Sequence, residues 1–367
     1  MMRFGVPKET APGEARVATT PDVVKKLAGK GFEVLVERGA GDAAGYHDDA
    51  FAAAGATLSD TAGALGADIV AKVRKPNRDE IAMLKNGAVY LGLMETCEDD
   101  GTLKALLDKQ LKVIQLERIP RTSRAQSMDV LSSQSNIAGY RAVIEAAANY
   151  GRFFPLMMTS AGSAKPARVV VLGAGVAGLQ AIATARRLGA DVYAYDVRPE
   201  TKEQIESLGA KAIELDLGES GAGEGGYAKE LSEEAKAKQQ QLLADELAKA
   251  HVIITTALIP CRPAPVLVPE EVVKRMREGS VIVDLAAATG GNCPLTEQDQ
   301  VVVRHGVTLV GHTNYPAMVA GDASAFFAGN IANLLAIMVD KGDDGLVLKD
   351  LDADDITQAA LLRAGTE

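Results

Sequence analysis

Apolar residues along this chain fall into short runs, separated by longer stretches in which they recur at helical spacing. Over the first third of the sequence the runs at 2–6, 33–37, 68–73, 88–93 and 112–116 predict strands. The stretches 21–30, 48–54, 77–86 and 101–110 between them predict helices. Thr20, Pro21 and Asp22 mark a helix start and Gly31 its end. Such alternation predicts a parallel sheet covered by helices.

A second alternating series begins near Arg168. Its runs at 168–172, 191–196, 211–215, 251–257, 280–285 and 307–311 are rich in β-branched residues, as expected of strands buried on both faces. Residues 132–150 have helix-forming composition and are expected to cross from the first series to the second. An apolar helix over roughly 322–340 is expected to return the chain, leaving an acidic, loosely ordered end at 341–367. The predicted fold class is α/β, with two Rossmann-like parallel-sheet domains joined by long crossover helices and a cleft between them. One domain comprises 1–130 plus 325–367, the other 131–324. A length of 367 residues suits two domains of roughly 100–200 residues each. Residues 217–227 (LGESGAGEGGY) break the alternation, and helix formers follow at 228–249. A glycine-rich segment of this kind is either a floppy insertion or a mobile flap, with Tyr227 as its one large side chain.

Charge and composition narrow the function. The net charge of −10 and the lack of a basic run exclude a nucleic-acid groove, which needs clustered lysine and arginine. The N-terminus lacks the apolar segment of a signal peptide. The apolar stretch 331–339 falls short of the ~18–20 residues that span a bilayer, so membrane association is expected only through a partner. The histidines at 47, 251, 305 and 312 and the cysteines at 97, 261 and 293 have no metal-ligand spacing, so no metal is expected.

The sharpest motif is VVVLGAGVAG at 169–178, with G-x-G-x-x-G at Gly173, Gly175 and Gly178. It follows a predicted strand and opens a predicted helix, which is the context of a dinucleotide-binding turn. Gly173 permits the tight turn, Gly175 lets the backbone approach a pyrophosphate, and Gly178 lets helix and strand pack closely. A purely structural glycine turn is the alternative. Asp196 ends the next strand, about 20 residues beyond Gly175, where an acid accepts hydrogen bonds from the adenosine ribose and repels a 2′-phosphate. NAD(H) is therefore expected over NADP(H). Arg198 could serve that phosphate instead, or pair with an acid, or face solvent. Ala257 and Leu258, after another strand of the same series, either pack on the dinucleotide or simply close the strand–loop junction.

A second polar constellation lies at 117–136, with Arg121, Arg124, Gln126, Asp129, Ser132, Gln134 and Asn136. Its place between the two series suggests the lip of an inter-domain cleft. Asp129 and Ser132 could equally cap the following helix.

The segments RVATTPD (16–22), IPRTSRAQSMDVLSSQSN (119–136), VVVLGAGVAGLQAIATARRLGA (169–190), YDVRPETKEQIESLGA (195–210), GGYAKE (225–230), TTALIP (255–260), DLAAATGGNCPL (284–295) and VGHTNYP (310–316) resemble the soluble NAD(H)-binding component, domain I, of proton-translocating transhydrogenases. The likeness covers nearly the whole chain and suits the separate-subunit form. It implies that NADH here passes a hydride to NADP+ in the NADP(H) site of a β-subunit domain. Membrane-spanning alpha2/beta components would couple the exchange to proton movement and hold the chain at the cytoplasmic face of the membrane. It also implies a homodimer. By resemblance, Arg121, Gln126, Asp129 and Ser132 surround the nicotinamide and its ribose, with Ser127 and Met128 in the same loop, and Gln126 reaches toward the partner's nucleotide. Tyr227 belongs to the mobile loop, and Gly175, Val176, Asp196, Val197, Arg198, Gly226, Gln239 and Leu258 line the NAD site.

The sequence also resembles alanine dehydrogenase, in which Arg16 and Lys72 would match the groups that bind pyruvate. That enzyme needs a histidine and an aspartate at the reacting centre, where this chain has Met94 and Ala288. Reductive amination moves protons as well as a hydride and needs acid–base groups, whereas transfer between two nicotinamides needs orientation and close approach. A catalytically silent NAD(H)-binding module is the third reading.

Overall fold

The computed structural model describes residues 1–95, 97, 100–215, 233–259 and 261–363. The chain divides into one unit formed by Met1–Ser135 with Pro316–Glu367, and a second formed by Asn136–Tyr315.

In the first unit, β1 (Arg3–Val6), α1 (Pro21–Gly29), β2 (Glu33–Glu37), α2 (Asp48–Ala53), β3 (Thr57–Ser59), α3 (Thr61–Leu65), β4 (Ile69–Arg74), α4 (Arg78–Met83), β5 (Val89–Leu93), α5 (Thr102–Asp108) and β6 (Lys112–Gln115) follow in order. The strands form a parallel sheet in the order β3-β2-β1-β4-β5-β6. Both faces are covered. Ile69, Ala71 and Val73 of β4 point into one cluster, and Val70 points into the other with Tyr90 and Leu65. This two-sided burial explains why the runs in the sequence are mainly apolar, with Lys72 the charged exception in β4.

The helix α6 (Val130–Asn149) leads into the second unit. There β7 (Met157–Thr159) and β8 (Gly162–Ala164) form a small hairpin. The main sheet comprises β9 (Arg168–Leu172), β10 (Asp191–Tyr195), β11 (Lys211–Ala212), β12 (Val252–Thr255), β13 (Val281–Asp284), β14 (Val301–Arg304) and β15 (Val307–Val310), in the order β11-β10-β9-β12-β13-β15-β14. All neighbours are parallel except β14 with β15. The helices α7 (Val176–Arg187), α8 (Thr201–Ser207), α9 (Glu233–Leu247) and α10 (Glu270–Arg275) accompany it. Val169 and Val171 face one cluster, and Val170 and Leu172 the other.

The chain then returns through α11 (Ala320–Met338), whose Phe327, Ile331 and Leu335 pack with Phe4, Val34 and Val36. Residues 341–363 are not loose, contrary to expectation. The chain forms the hairpin β16 (Val339–Gly342) and β17 (Gly345–Leu348), then α12 (Asp355–Ala360). Ile356 and Ala360 join the core, Leu362 N–H donates to the Val113 carbonyl, and Arg124 pairs with Asp354 and Asp355. The acidic residues lie on the outside of this segment and mask its sparse apolar anchors.

A buried charge cluster lies on β4 and past the end of β1. Lys72 is 1% exposed, donates to Glu80 at 2.6 Å and lies 3.9 Å from Glu9. Arg16 donates to Glu14 from Nε and Nη2, each at 2.7 Å, and from Nη1 to Gln134 at 2.8 Å. Burial alone would raise the Glu14 carboxyl, but the contacts with Arg16 overcome it and hold the pKa at about 2. At Glu9 burial prevails over Lys72 and the Val73 amide, and the pKa is pushed up to about 7. A carboxyl raised in the folded state favours folding below its unfolded pKa, and that contribution is lost as the pH rises through the folded value. Replacing Glu9 by Gln should therefore remove a fall in stability between pH 4.5 and pH 7. Denaturation at pH 4 and pH 8 checks this: Glu9→Gln should gain about 3 kcal/mol over the wild type at pH 8 relative to pH 4. Parallel behaviour of the two proteins would refute it.

Candidate functional site

The glycine motif forms the turn between β9 and α7. Gly173 has φ +98°, and a Cβ there would lie 2.4 Å from Thr256 Oγ1. A Cβ on Gly178 would lie 1.8 Å from the Gly173 carbonyl oxygen. A Cβ on Gly139 of α6 would lie 2.0 Å from the Ala177 carbonyl oxygen. These three glycines are demanded by the protein's own packing. Gly175 differs: its φ of −78° and ψ of −170° suit any residue, and a Cβ would meet nothing within 4 Å. It is the N-cap of α7 and offers no side-chain cap, so the first amides of a 12-residue helix face open space. Free amides and the helix dipole together favour an anion there.

Asp196 follows β10 and its side chain is 7% exposed. It accepts from Ala174 N–H at 2.7 Å and Arg198 N–H at 2.9 Å, and its carboxylate is gripped by Arg198 Nε at 3.0 Å and Nη2 at 2.9 Å. Burial works against the charge, but the Arg198 guanidinium and the Ala174 and Arg198 amides hold the pKa below the usual carboxylate range. Of the readings open for Arg198, pairing with an acid is what the structure has. Next to this pair is a cavity of about 460 Å³, bordered by Tyr195, Val197, Ile213 and Gln239, with Gln239 Nε2 donating to the Tyr195 hydroxyl at 2.8 Å.

Val176, Val197 and Leu258 stay in the open, at 41%, 76% and 54% exposure. Large apolar side chains left bare beside a glycine turn suit the faces of a base. Two polar residues not singled out from sequence support the arrangement. Thr256 Oγ1 donates to the Leu172 carbonyl at 3.0 Å and packs the turn, while the Asn292 amide bonds both backbone groups of Ala257. Both lie inside quoted motifs, but their work depends on contacts between strands. Gly226 and Tyr227 lie outside the described residues.

The other predicted residues belong to the first unit. Arg121, Gln126 and Ser127 are exposed in the segment between β6 and α6. Asp129 is 8% exposed and caps α6, accepting from Ser132 N–H at 2.9 Å and Ser132 Oγ at 2.6 Å. Met128 buries its side chain in the core, so only its backbone can face a ligand. The Ser127 carbonyl is held by Asn330 at 2.8 Å and Asn333 at 3.0 Å of α11. The loop is therefore fixed from beneath, while Arg121 and Gln126 project freely. Met94 is buried with its N–H on Glu117, and Ala288 is exposed. Among the described residues no metal-binding group of His, Cys, Asp and Glu occurs, and no helix is long and apolar enough to cross a membrane.

The two kinds of glycine can be separated. Gly175→Ala should change stability by no more than about 1 kcal/mol, because the site is open and the change is that of an N-cap. It should still weaken dinucleotide binding by about tenfold or more, because the methyl occupies the phosphate's approach. Gly178→Ala should cost about 2–3 kcal/mol of stability through overpacking. Denaturant titration with NADH-binding fluorescence reads both, and equal loss of stability in the two variants would deny Gly175 a ligand role.

Comparison with known proteins agrees over the whole chain. Residues 5–138 match the family described as alanine dehydrogenase/PNT, N-terminal domain, and residues 142–366 match alanine dehydrogenase/PNT, C-terminal domain. An NAD(P) transhydrogenase subunit alpha polypeptide of Rhodospirillum rubrum is 53% identical over 99% of this chain and 97% of its own. Alanine dehydrogenase of Bacillus subtilis is 30% identical over 87% of this chain and 80% of its own. A transhydrogenase structure from Sinorhizobium meliloti is 44% identical, with a TM-score of 0.89 over 100% of this chain and 99% of that one. An L-alanine dehydrogenase structure gives 0.81 at 26% identity, over 98% and 94%. The chain belongs to the alanine dehydrogenase/PNT family, among its NAD(P) transhydrogenase alpha subunits.

Proposed function

We propose that this chain binds NAD(H) and presents it for direct hydride transfer to NADP+ held by a separate partner domain. The observation that carries the binding half is Gly175: its bare position over the free amides of α7, with Asp196 at the end of the adjacent strand. Gly173, Gly175 and Gly178 would seat the pyrophosphate. Asp196 would accept from the adenosine ribose and resist a 2′-phosphate, with Val176, Val197, Arg198, Gln239, Ala257 and Leu258 around the dinucleotide. The bound NADH supplies the hydride. Arg121, Gln126, Asp129 and Ser132 orient the ring, with Ser127 and Met128 contributing backbone. The exposed Arg121 and Gln126 are free to meet the second nucleotide. Tyr227 closes over the site. The chain works as a homodimer beside membrane-spanning partners that couple the exchange to proton movement, at the cytoplasmic face of the membrane.

The alanine dehydrogenase reading is weakened by the charge cluster. The Nε/Nη2 fork of Arg16 is already taken by Glu14, and Lys72 by Glu80, so neither is presented to a keto acid. Met94 and Ala288 supply no acid or base.

The deciding experiment mixes the purified chain with the NADP(H)-binding domain of a transhydrogenase β subunit. Hydride exchange between NADH and an NADP+ analogue is expected. No exchange, with alanine-dependent reduction of NAD+ instead, would overturn the proposal. Binding without turnover in any pairing would leave a silent module. Gln126→Asn should slow transfer about tenfold more than it weakens NADH binding, since the group orients the reacting ring. Equal losses would remove that role. Asp196→Asn should narrow the preference for NADH over NADPH by roughly tenfold (~1.4 kcal/mol). Unchanged dissociation constants for both would contradict the ribose assignment.

A further inference from the structure

At the opposite end of the second sheet from the glycine turn, a cavity of about 510 Å³ opens beside the starts of β9, β12 and β13. Arg152, Lys165, Arg277, His251, Tyr150 and Ser163 line it, and no carboxylate does. Arg152, Lys165 and Arg277 form no ion pair with any described residue, unlike most of the arginines around them.

Solvated surface cations would account for the three chains alone, but not for His251. Its Nδ1 lies 2.9 Å from the backbone N–H of Arg168, which can only donate. Nδ1 is therefore the acceptor, and the single proton of the neutral ring sits on Nε2. Nε2 in turn lies 3.3 Å from Arg277 Nη1, so one donor faces another. Tyr150 stacks on the ring at 6.1 Å and 23° and holds it in this orientation. Burial and then the neighbouring Arg277, Arg152 and Arg168 lower the histidine's pKa, which keeps the ring neutral. Donors converge on a space whose lining holds no carboxylate to meet them.

We propose that this cavity binds an anion bearing a phosphate group, whose oxygens accept from His251 Nε2–H and Arg277 and pair with Arg152 and Lys165. A multivalent oxyanion satisfies a facing pair of donors and several cations at once, which a monovalent ion cannot. The volume exceeds that of a bare phosphate and falls in the range of small-molecule pockets, so the phosphate arrives on a larger molecule. That molecule is either a soluble phosphomonoester or a phospholipid headgroup.

The test uses the full chain saturated with NADH, so that the glycine-turn site is filled. Its His251 ring resonances are followed by NMR during titration with inorganic phosphate and with glycerol 3-phosphate, against chloride at equal ionic strength. A saturable shift with the phosphates but not with chloride is expected. It should weaken about tenfold or more in Arg277→Gln and in Lys165→Gln, each checked for unchanged thermal stability. Co-sedimentation with phosphatidylglycerol vesicles, but not with phosphatidylcholine vesicles, would assign the phosphate to lipid. No co-sedimentation beside a positive titration would assign it to a soluble ester. The proposal fails if neither the phosphates nor the vesicles move His251, or if the shift survives loss of Arg277 and Lys165 together.

Discussion

Helix α7 has to start closer to β9 than any side chain allows, and the rest of the dinucleotide end of this fold follows from that. Gly178 would put a Cβ 1.8 Å from the Gly173 carbonyl oxygen, and Gly173 itself has a left-handed φ against Thr256. Gly139 repeats the condition on the other side, where α6 crosses Ala177. With α7 pulled in from two directions, its first amides are brought to the carboxyl ends of β9 and β10 with nothing to cap them. This helix end is open to solvent, so its uncapped amides are left to water or to an anion. Asp196 reaches across to the N–H of Ala174, in the turn just before α7, which ties the second strand to the same turn.

The charge arrangement of the first unit bears on function more than the fold does. The alanine dehydrogenase and transhydrogenase structures both superpose over nearly the whole chain. Within this chain, the first unit pairs some of its polar side chains and leaves others open. Arg16 and Lys72 are spent on glutamates of their own unit, with exposures of only 3% and 1%. Arg121 and Gln126, by contrast, are exposed on a loop whose backbone is anchored by Asn330 and Asn333. A rigid loop carrying free donors suits the positioning of a planar ring, and a neutralised arginine does not suit capture of a small acid.

Much of this was legible in the sequence because both main sheets are buried on two faces. Their central strands read as mainly apolar runs, β-branched in the second sheet, and these lie where the apolar pattern put them. The elements that escaped were those without such burial. β3 is three residues long and half exposed, and β14 is apolar in sequence yet lies on the outer edge with Val301 and Val303 in solvent. The ordered tail was missed because a few residues, Ile356, Ala360 and Leu362, anchor a segment whose remaining composition is acidic. In the site, the glycines were visible through fixed spacing. Thr256 and Asn292 were not, because their roles come from neighbours 84 and 35 residues away in the chain. Met128 lies in the polar loop, yet its side chain serves the core, which leaves only its backbone for a ligand.

Asp129 joins the two lines of reasoning. Helix capping and ligand binding compete as accounts of this residue in the sequence, and the capping bonds to Ser132 are present. An ionised carboxylate has about four lone-pair sites, however, and Ser132 takes two of them. The cap also fixes the rotamer of a side chain that is otherwise almost buried. A carboxylate so held keeps acceptor capacity on both oxygens while losing almost no rotational freedom on meeting a hydroxyl. The cap is thus what preorganises Asp129, and its structural duty and its proposed contact with a ribose support each other.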